Sequence, residues 1–168
     1  LQGQVFMPMH WNGQFASQGS VGQLIAARTD AASGQPDYKH TPVRVSRIDT
    51  PWRANLMTRK EITFDDTILW FKRHTTVGYH YELASTYVPK DWLEWASSWL
   101  LPHNDLLQLQ VCDQSTYRLA SFLDDQLQTV LLIAPNLPYC DTSMVNALME
   151  LKKLSPQQRL QTLAFPQV

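Results

Sequence analysis

The hydrophobic pattern predicts a loop-rich first third followed by longer regular elements. Residues 1–50 hold five of the six glycines, and their apolar residues form two short runs that predict strands at residues 5–9 and 43–48. The second run alternates apolar and polar side chains, as a half-buried strand does. The roughly 30 residues between the two runs predict a functional or unstructured loop, with one short helical segment within residues 18–27.

A domain boundary is predicted at residues 49–60, where Asp49, Thr50 and Pro51 open a polar stretch. The β-forming aromatic residues of the next segment, residues 68–81, predict one long strand or a hairpin kinked at Gly78. A helix follows. Asp91 is its predicted N-cap, Glu94 lies three residues later, and Pro102 comes after its apolar end.

The remaining sequence predicts three short strands and two helices. Apolar runs between polar turns predict strands at residues 106–111, 117–123 and 128–134. A helix over residues 144–154 follows, capped by Asp141 or Thr142, and Ser155, Pro156 and Gln158 provide the cap, first-turn proline and capping-box partner of a last helix. This order of elements predicts an α+β module over residues 60–168, a small mixed antiparallel sheet with covering helices.

Composition and charge exclude several classes of protein. The chain has 168 residues, with 44% hydrophobic residues, 17% charged residues and a net charge of −1. Its length suits one domain or two small units, and a basic nucleic-acid binder or a disordered chain is excluded. No apolar run approaches the ~18 residues of a membrane span, and no secretory signal opens the chain. We therefore expect a cytoplasmic protein with no nucleic-acid and no membrane partner.

The most concentrated polar chemistry lies just after the first predicted strand. His10, Trp11, Asn12 and Gln14 bring an imidazole, an indole N–H and two carboxamides into five residues, groups that can hydrogen-bond a polar heteroaromatic ligand. The competing interpretation is a packing anchor, the more common role of a His-Trp pair in a loop. Lys39 precedes the second predicted strand and could neutralise a phosphate, although an exposed lysine is usually only solvated.

Other candidate residues favour structural roles. Trp92, Trp95 and Trp99 recur on one helix face and predict a core stripe, or a docking face if they are exposed. His74 and His80 lack a third ligand and predict polar sheet residues rather than a metal site. The paired acids, at residues 65–66 and 124–125, coincide with predicted turns. Cys112 and Cys140 have no metal-ligand spacing around them. The residues alone therefore predict neither a catalytic residue nor a metal site.

Two blocks of the first fifty residues resemble a known family. The run VFMPMHWNGQFAS at residues 5–17 and the run SGQPDYKHTPVRV at residues 33–45 resemble the end of the molybdopterin dinucleotide-binding domain of bacterial assimilatory nitrate reductases. The wider family includes formate dehydrogenases and periplasmic nitrate reductases. The two blocks cover about a quarter of the chain and agree with the family in order and separation.

The resemblance implies that residues 1–50 are the closing strands of a double-psi β-barrel, within a carboxy-terminal part of a longer protein, here called the parent polypeptide. It also implies that His10, Trp11, Gln14, Gly22 and Lys39 lie against one of two molybdopterin guanine dinucleotides. Relatives commonly have an asparagine where Gly22 stands, so only the backbone of Gly22 could contribute. The family's iron–sulfur cysteines and its molybdenum-ligating cysteine are absent from this sequence.

The expected function of the parent polypeptide is reduction of nitrate to nitrite at a molybdenum bis-molybdopterin guanine dinucleotide centre. Iron–sulfur clusters are expected in the parent alone, and this chain by itself is expected to be inactive and without bound cofactor. Expected partners are the rest of the parent polypeptide and a flavin- or ferredoxin-type electron donor. Two alternatives stay open: a formate dehydrogenase-like parent, and a docking or spacer role for residues 60–168.

Overall fold

A computed structural model describes residues 3–8, 10–36, 41–100, 105–110, 116–135 and 142–164 of the chain. The chain divides into two compact units, Leu1–Ile48 and Asp49–Val168.

The second unit is built on a six-stranded antiparallel sheet. Its strands lie in the order β2-β3-β1-β6-β5-β4, so the first strand, β1, occupies a central position between β3 and β6. The described residues of this unit also form three short helices. The elements are β1 (Trp52–Thr58), β2 (Leu69–His74), β3 (Tyr79–Ser85), α1 (Trp92–Ser97), β4 (Asp105–Gln110), β5 (Tyr117–Leu123), β6 (Gln126–Ala134), α2 (Ser143–Glu150) and α3 (Pro156–Gln161).

Two hydrophobic clusters enclose this sheet because successive strand residues point to opposite faces. The first cluster contains Leu56, Tyr81 and Leu131, with the tryptophans of α1 packed against it. The second contains Met57 and Val130, together with three buried residues of α2, Val145, Leu148 and Met149. The predicted α+β fold with an antiparallel sheet and covering helices is thus confirmed for this unit.

Local cap and turn signals in the sequence predicted several of these elements correctly. The carboxylate of Asp91 accepts a hydrogen bond from the Glu94 backbone N–H at 2.8 Å and caps α1. Ser155 and Gln158 form the predicted capping box of α3. The segment around Gly78 is a hairpin of β2 and β3, the second of the two predicted alternatives.

The two units divide between Ile48 and Asp49, at the start of the predicted boundary, but most of residues 49–60 forms the central strand β1 of the second unit. Trp52 to Thr58 pairs with both β3 and β6, and its polar residues Asn55 and Thr58 are buried. They have polar cross-strand partners: the Asn55 carboxamide lies 2.8 Å from the His80 ring, and the Thr58 hydroxyl lies 3.4 Å from that of Thr129. The predicted helix over residues 144–154 is also too long, since α2 ends at Glu150 and Leu151 is extended.

The first unit has little regular structure in its described residues. One short 3-10 helix, Val21–Gln23, fulfils the prediction of a helical segment, and an isolated antiparallel bridge joins Thr29 to Pro36. The strands predicted at residues 5–9 and 43–48 are not formed: residues 5–8 and 43–48 have no strand partner among the described residues, and residue 9 lies outside them.

The physical reason for these missing strands is that an extended segment becomes a strand only when another segment satisfies its N–H and C=O groups. The side chains of both segments are correspondingly exposed, Phe6 at 91% and Val45 at 75%. Every hydrophobic residue buried in the described parts of the chain lies within residues 52–154, outside the first unit. No helix in these parts has the length and apolarity needed to cross a membrane.

Candidate functional site

The segment of residues 10–23 is a closed loop that brings four of the five predicted site residues together. The carbonyl of Asn12 accepts hydrogen bonds from Phe15 and Ala16, and its side-chain oxygen accepts one from the Gln14 N–H at 2.8 Å. The Val21 N–H then donates to the Trp11 carbonyl at 3.4 Å. Gly22, far from Trp11 in the loop sequence, is thereby held next to the His10-Trp11 segment.

Several side chains of this loop lie on the surface. His10 and Gln14 are exposed, and so is the indole of Trp11. A β-carbon placed on Gly22 would meet no atom within 4 Å, so the backbone of Gly22 also borders open space. Imidazole, indole and carboxamide groups can donate hydrogen bonds to a heterocycle or a phosphate. The donor set therefore fits a polar dinucleotide.

Lys39, the fifth predicted residue, lies outside the described residues. The turn just before it is well defined. The Asp30 carboxylate accepts hydrogen bonds from the N–H groups of Ala32 and Ser33, at 3.0 and 2.7 Å, and from the Ser33 hydroxyl. These bonds to the charged form lower the pKa of Asp30. Gly34 has a φ of +68°, a conformation that glycine tolerates, so the turn before Lys39 has a defined shape.

The second unit contains a polar network around the buried His80 and Asn55 that sequence reasoning did not find. The Nε of Arg73 donates to Nδ1 of His80 at 2.8 Å, and His80 Nε2 lies 2.8 Å from Oδ1 of Asn55. Because Nδ1 accepts, Nε2 must have the ring proton and donate it to Asn55. Glu82 lies 3.6 Å from Arg73. Burial, followed by the charge of Arg73, lowers the pKa of His80 to about 4.

The two histidines of this region differ in burial. His74 is exposed in β2, while His80 is buried in β3, which confirms their prediction as polar sheet residues. No group of three His, Cys, Asp or Glu residues within the described ranges could hold a metal ion.

The tryptophans of α1 pack inside the second unit, as predicted for a core stripe. Trp92 and Trp95 lie edge-to-face on the buried Trp52, with ring centroids 5.2 and 5.4 Å away, and Trp99 lies edge-to-face on Trp95. The indole N–H of Trp52 donates to the Tyr87 carbonyl. Trp92 and Trp95 of α1, and Trp99 just after its end, are only partly exposed. Their rings therefore hold α1 on the sheet.

The acidic pairs form turns, as predicted. Asp65 accepts a hydrogen bond from the Thr67 N–H at 2.8 Å. Asp124 and Asp125 join β5 to β6 with φ angles of 51° and 63°, the positive values that a tight hairpin turn requires. The carboxylate of Asp125 also pairs with Arg159 at 3.2 Å.

One comparison with known proteins matches the segment that contains the loop of residues 10–23. Residues 1–42 match the family model of the molydopterin dinucleotide binding domain. A nitrate reductase from Klebsiella oxytoca is 40% identical to the chain over 94 residues, which are 55% of this chain and 11% of that protein. No solved structure matches the chain.

The alignment with the nitrate reductase is more than twice as long as the family-model match, so the similarity extends well into the second unit. The chain spans only about a ninth of that relative's length. The resemblance seen in the sequence is confirmed: the chain is related to a nitrate reductase, and its first 42 residues resemble part of a molydopterin dinucleotide binding domain.

Proposed function

We propose that this chain contributes part of a molybdopterin guanine dinucleotide site to a molybdenum-dependent parent polypeptide that reduces nitrate to nitrite. The observation that supports this proposal most strongly is the closed loop of residues 10–23. It presents His10, Trp11 and Gln14 on the surface, and it lies inside the segment that matches the dinucleotide-binding family.

The residues of the loop would bind and orient the dinucleotide. The His10 imidazole and the Gln14 carboxamide would donate hydrogen bonds to its polar heterocycle, while Gly22 would let the backbone approach it closely. Lys39 would neutralise a phosphate. When bound, the molybdenum centre would supply the oxygen-atom and electron transfer. The residues of this chain have no role in that transfer, so the chain alone is inactive.

The exposed apolar residues of the first unit support the need for a larger parent. Phe6 and Val45 are exposed and belong to segments that find no strand partner in the described residues. Burial of a large apolar side chain is worth about 1.5–3 kcal/mol. We propose that these segments complete a double-psi β-barrel together with the rest of the parent polypeptide, which would bury them.

The test is the activity and cofactor content of the parent polypeptide. The purified parent is assayed for nitrite production from nitrate with a reduced viologen dye as electron donor. It is also assayed for formate oxidation with the oxidised form of that dye as electron acceptor. We expect nitrate reduction, and a His10→Ala/Gln14→Ala variant should release several-fold less guanine nucleotide on acid treatment. Formate oxidation without nitrate reduction would instead assign the formate dehydrogenase-like function.

A spacer role is proposed for the second unit in preference to a docking role through α1. The helix tryptophans pack against Trp52 instead of forming an open apolar face. The parent would receive electrons from its own iron–sulfur clusters or from a flavin- or ferredoxin-type protein in the cytoplasm. Deletion of residues 49–168 should then change the rate of nitrate reduction by the same factor whether a dye or the physiological donor supplies the electrons. A selective loss of the donor-linked rate would establish docking.

A further inference from the structure

Gly19 occupies the tightest position of the loop that presents the candidate site residues. It alone is buried among the described residues of the first unit. A β-carbon on Gly19 would lie 2.8 Å from the Ala16 Cβ and 3.2 Å from the Asn12 carbonyl oxygen. Neither atom belongs to the far end of a flexible side chain, so a larger residue would push the backbone of the loop apart.

Asn12 lies on the other side of this close approach. Its carbonyl is the acceptor for Phe15 and Ala16, and its side chain accepts from Gln14. Such a side-chain bond to the backbone two residues later is a turn that asparagine forms readily. Asn12 and Gly19 thus close the loop from both ends, and the bond from Val21 to the Trp11 carbonyl follows directly after Gly19.

We infer that Asn12 and Gly19 are positioning residues for the dinucleotide site: they preform the loop that holds Trp11, Gln14 and Gly22 before any ligand binds. This inference rests on the proposed function. A loop fixed in its binding shape loses less conformational freedom when the ligand binds, so affinity rises without a new contact. Opening the loop should weaken binding although every side chain in contact with the ligand remains.

The loop also contains a matched control. Gly13 lies next to Asn12, has no positive φ, and would have no atom within 4 Å of an added β-carbon. Gly13→Ala and Gly19→Ala introduce the same methyl group six residues apart, and they differ in whether that methyl group has space.

The experiment uses the full-length parent polypeptide loaded with its cofactor. The dissociation rate of the dinucleotide in mild urea is followed by the fluorescence of the released pterin, alongside the thermal midpoint and the KM for nitrate. We expect release about tenfold faster in Gly19→Ala, as an overpacking cost of this kind implies, and within twofold of wild type in Gly13→Ala. Asn12→Ala should also release faster, and Asn12→Ser should restore part of the retention.

The outcomes separate this inference from the function on which it rests. A wild-type parent that contains no molybdopterin dinucleotide overturns the proposed function, and the inference with it. A loaded wild type with equal release rates in Gly19→Ala and Gly13→Ala overturns the inference alone. If Gly19→Ala does not fold, the Asn12 pair decides: equal release from Asn12→Ala and Asn12→Ser, both at the wild-type rate, contradicts a positioning role.

Discussion

Acidification should destabilise the second unit through His80. This side chain is 2% exposed and holds its ring neutral between Arg73, which donates to Nδ1, and Asn55, which accepts from Nε2. A proton added to Nδ1 would point at a guanidinium and displace its hydrogen bond. Glu82 forms an ion pair with Arg73 at 3.6 Å through Nη2, whereas the contact of Arg73 with the ring is made through Nε.

The sign and size of the effect follow from the pKa values. The unfolded chain binds the imidazole proton below its ordinary pKa of 6.5, whereas the folded chain resists it until about 4. The neutral, buried imidazole therefore contributes fully to the free energy of unfolding above pH 6.5. This contribution is lost as the pH falls from 6.5 to about 4. Between pH 7.5 and pH 4.5 the loss amounts to about 2.5 kcal/mol.

The assay is urea unfolding of the chain at both pH values, followed by tryptophan fluorescence, for wild type, His80→Gln and His74→Gln. Glutamine keeps a donor and an acceptor but does not titrate. The His80→Gln chain should lose about 2.5 kcal/mol less than wild type over this interval, while carboxylate effects cancel in the comparison. His74 is exposed on the neighbouring strand, so His74→Gln should behave as wild type. Identical losses in wild type and His80→Gln would refute the reasoning.

Three further predictions concern stability and are tested by thermal or urea unfolding of the same chain. Gly78→Ala should cost about 2–3 kcal/mol, because its β-carbon would lie 2.2 Å from the Thr58 carbonyl oxygen; an unchanged urea midpoint would contradict this. Ser155→Ala should cost about 1 kcal/mol by removing a capping box, whereas Thr142→Ala should cost less, since Thr142 makes no side-chain cap bond; equal costs would count against the cap. Residues 49–168 should unfold cooperatively without the first unit, which contributes no buried hydrophobic residue in its described part; a broad, non-cooperative transition would show otherwise.

Elements with strong local signals were predictable from the sequence. The caps of α1 and α3, the hairpin around Gly78 and the turn at Asp124 each depend on residues within a few positions of one another. β1 was not predictable because its polar residues become buried only through distant partners: Asn55 through His80, and Thr58 through Thr129. Alternation at residues 43–48 predicts a strand, but the partner that a strand requires is supplied by tertiary structure.

The candidate site was predictable in part. The residues of the turn at Asn12 lie together in the sequence, so the cluster of His10, Trp11 and Gln14 could be recognised there. The closure of the loop by Val21 onto the Trp11 carbonyl and the tight packing at Gly19 depend on backbone positions that have no sequence signature. Resemblance to a family supplied Gly22, and no periodicity or composition singled it out.

The central position of β1 in the sheet affects how the second unit folds during its synthesis. β1 leaves the ribosome before the other strands of the sheet, yet one of its two partners is β6, the last strand of the sheet to be synthesised. β6 also supplies Leu131 and Ile133 to one cluster and Val130 and Leu132 to the other. Closure of such distant pairings is slow and leaves apolar surface exposed meanwhile. A chain that ends before β6 lacks members of both clusters and the strand that joins β1 to β5. We therefore expect the complete sheet of this unit to form only after β6 has been synthesised.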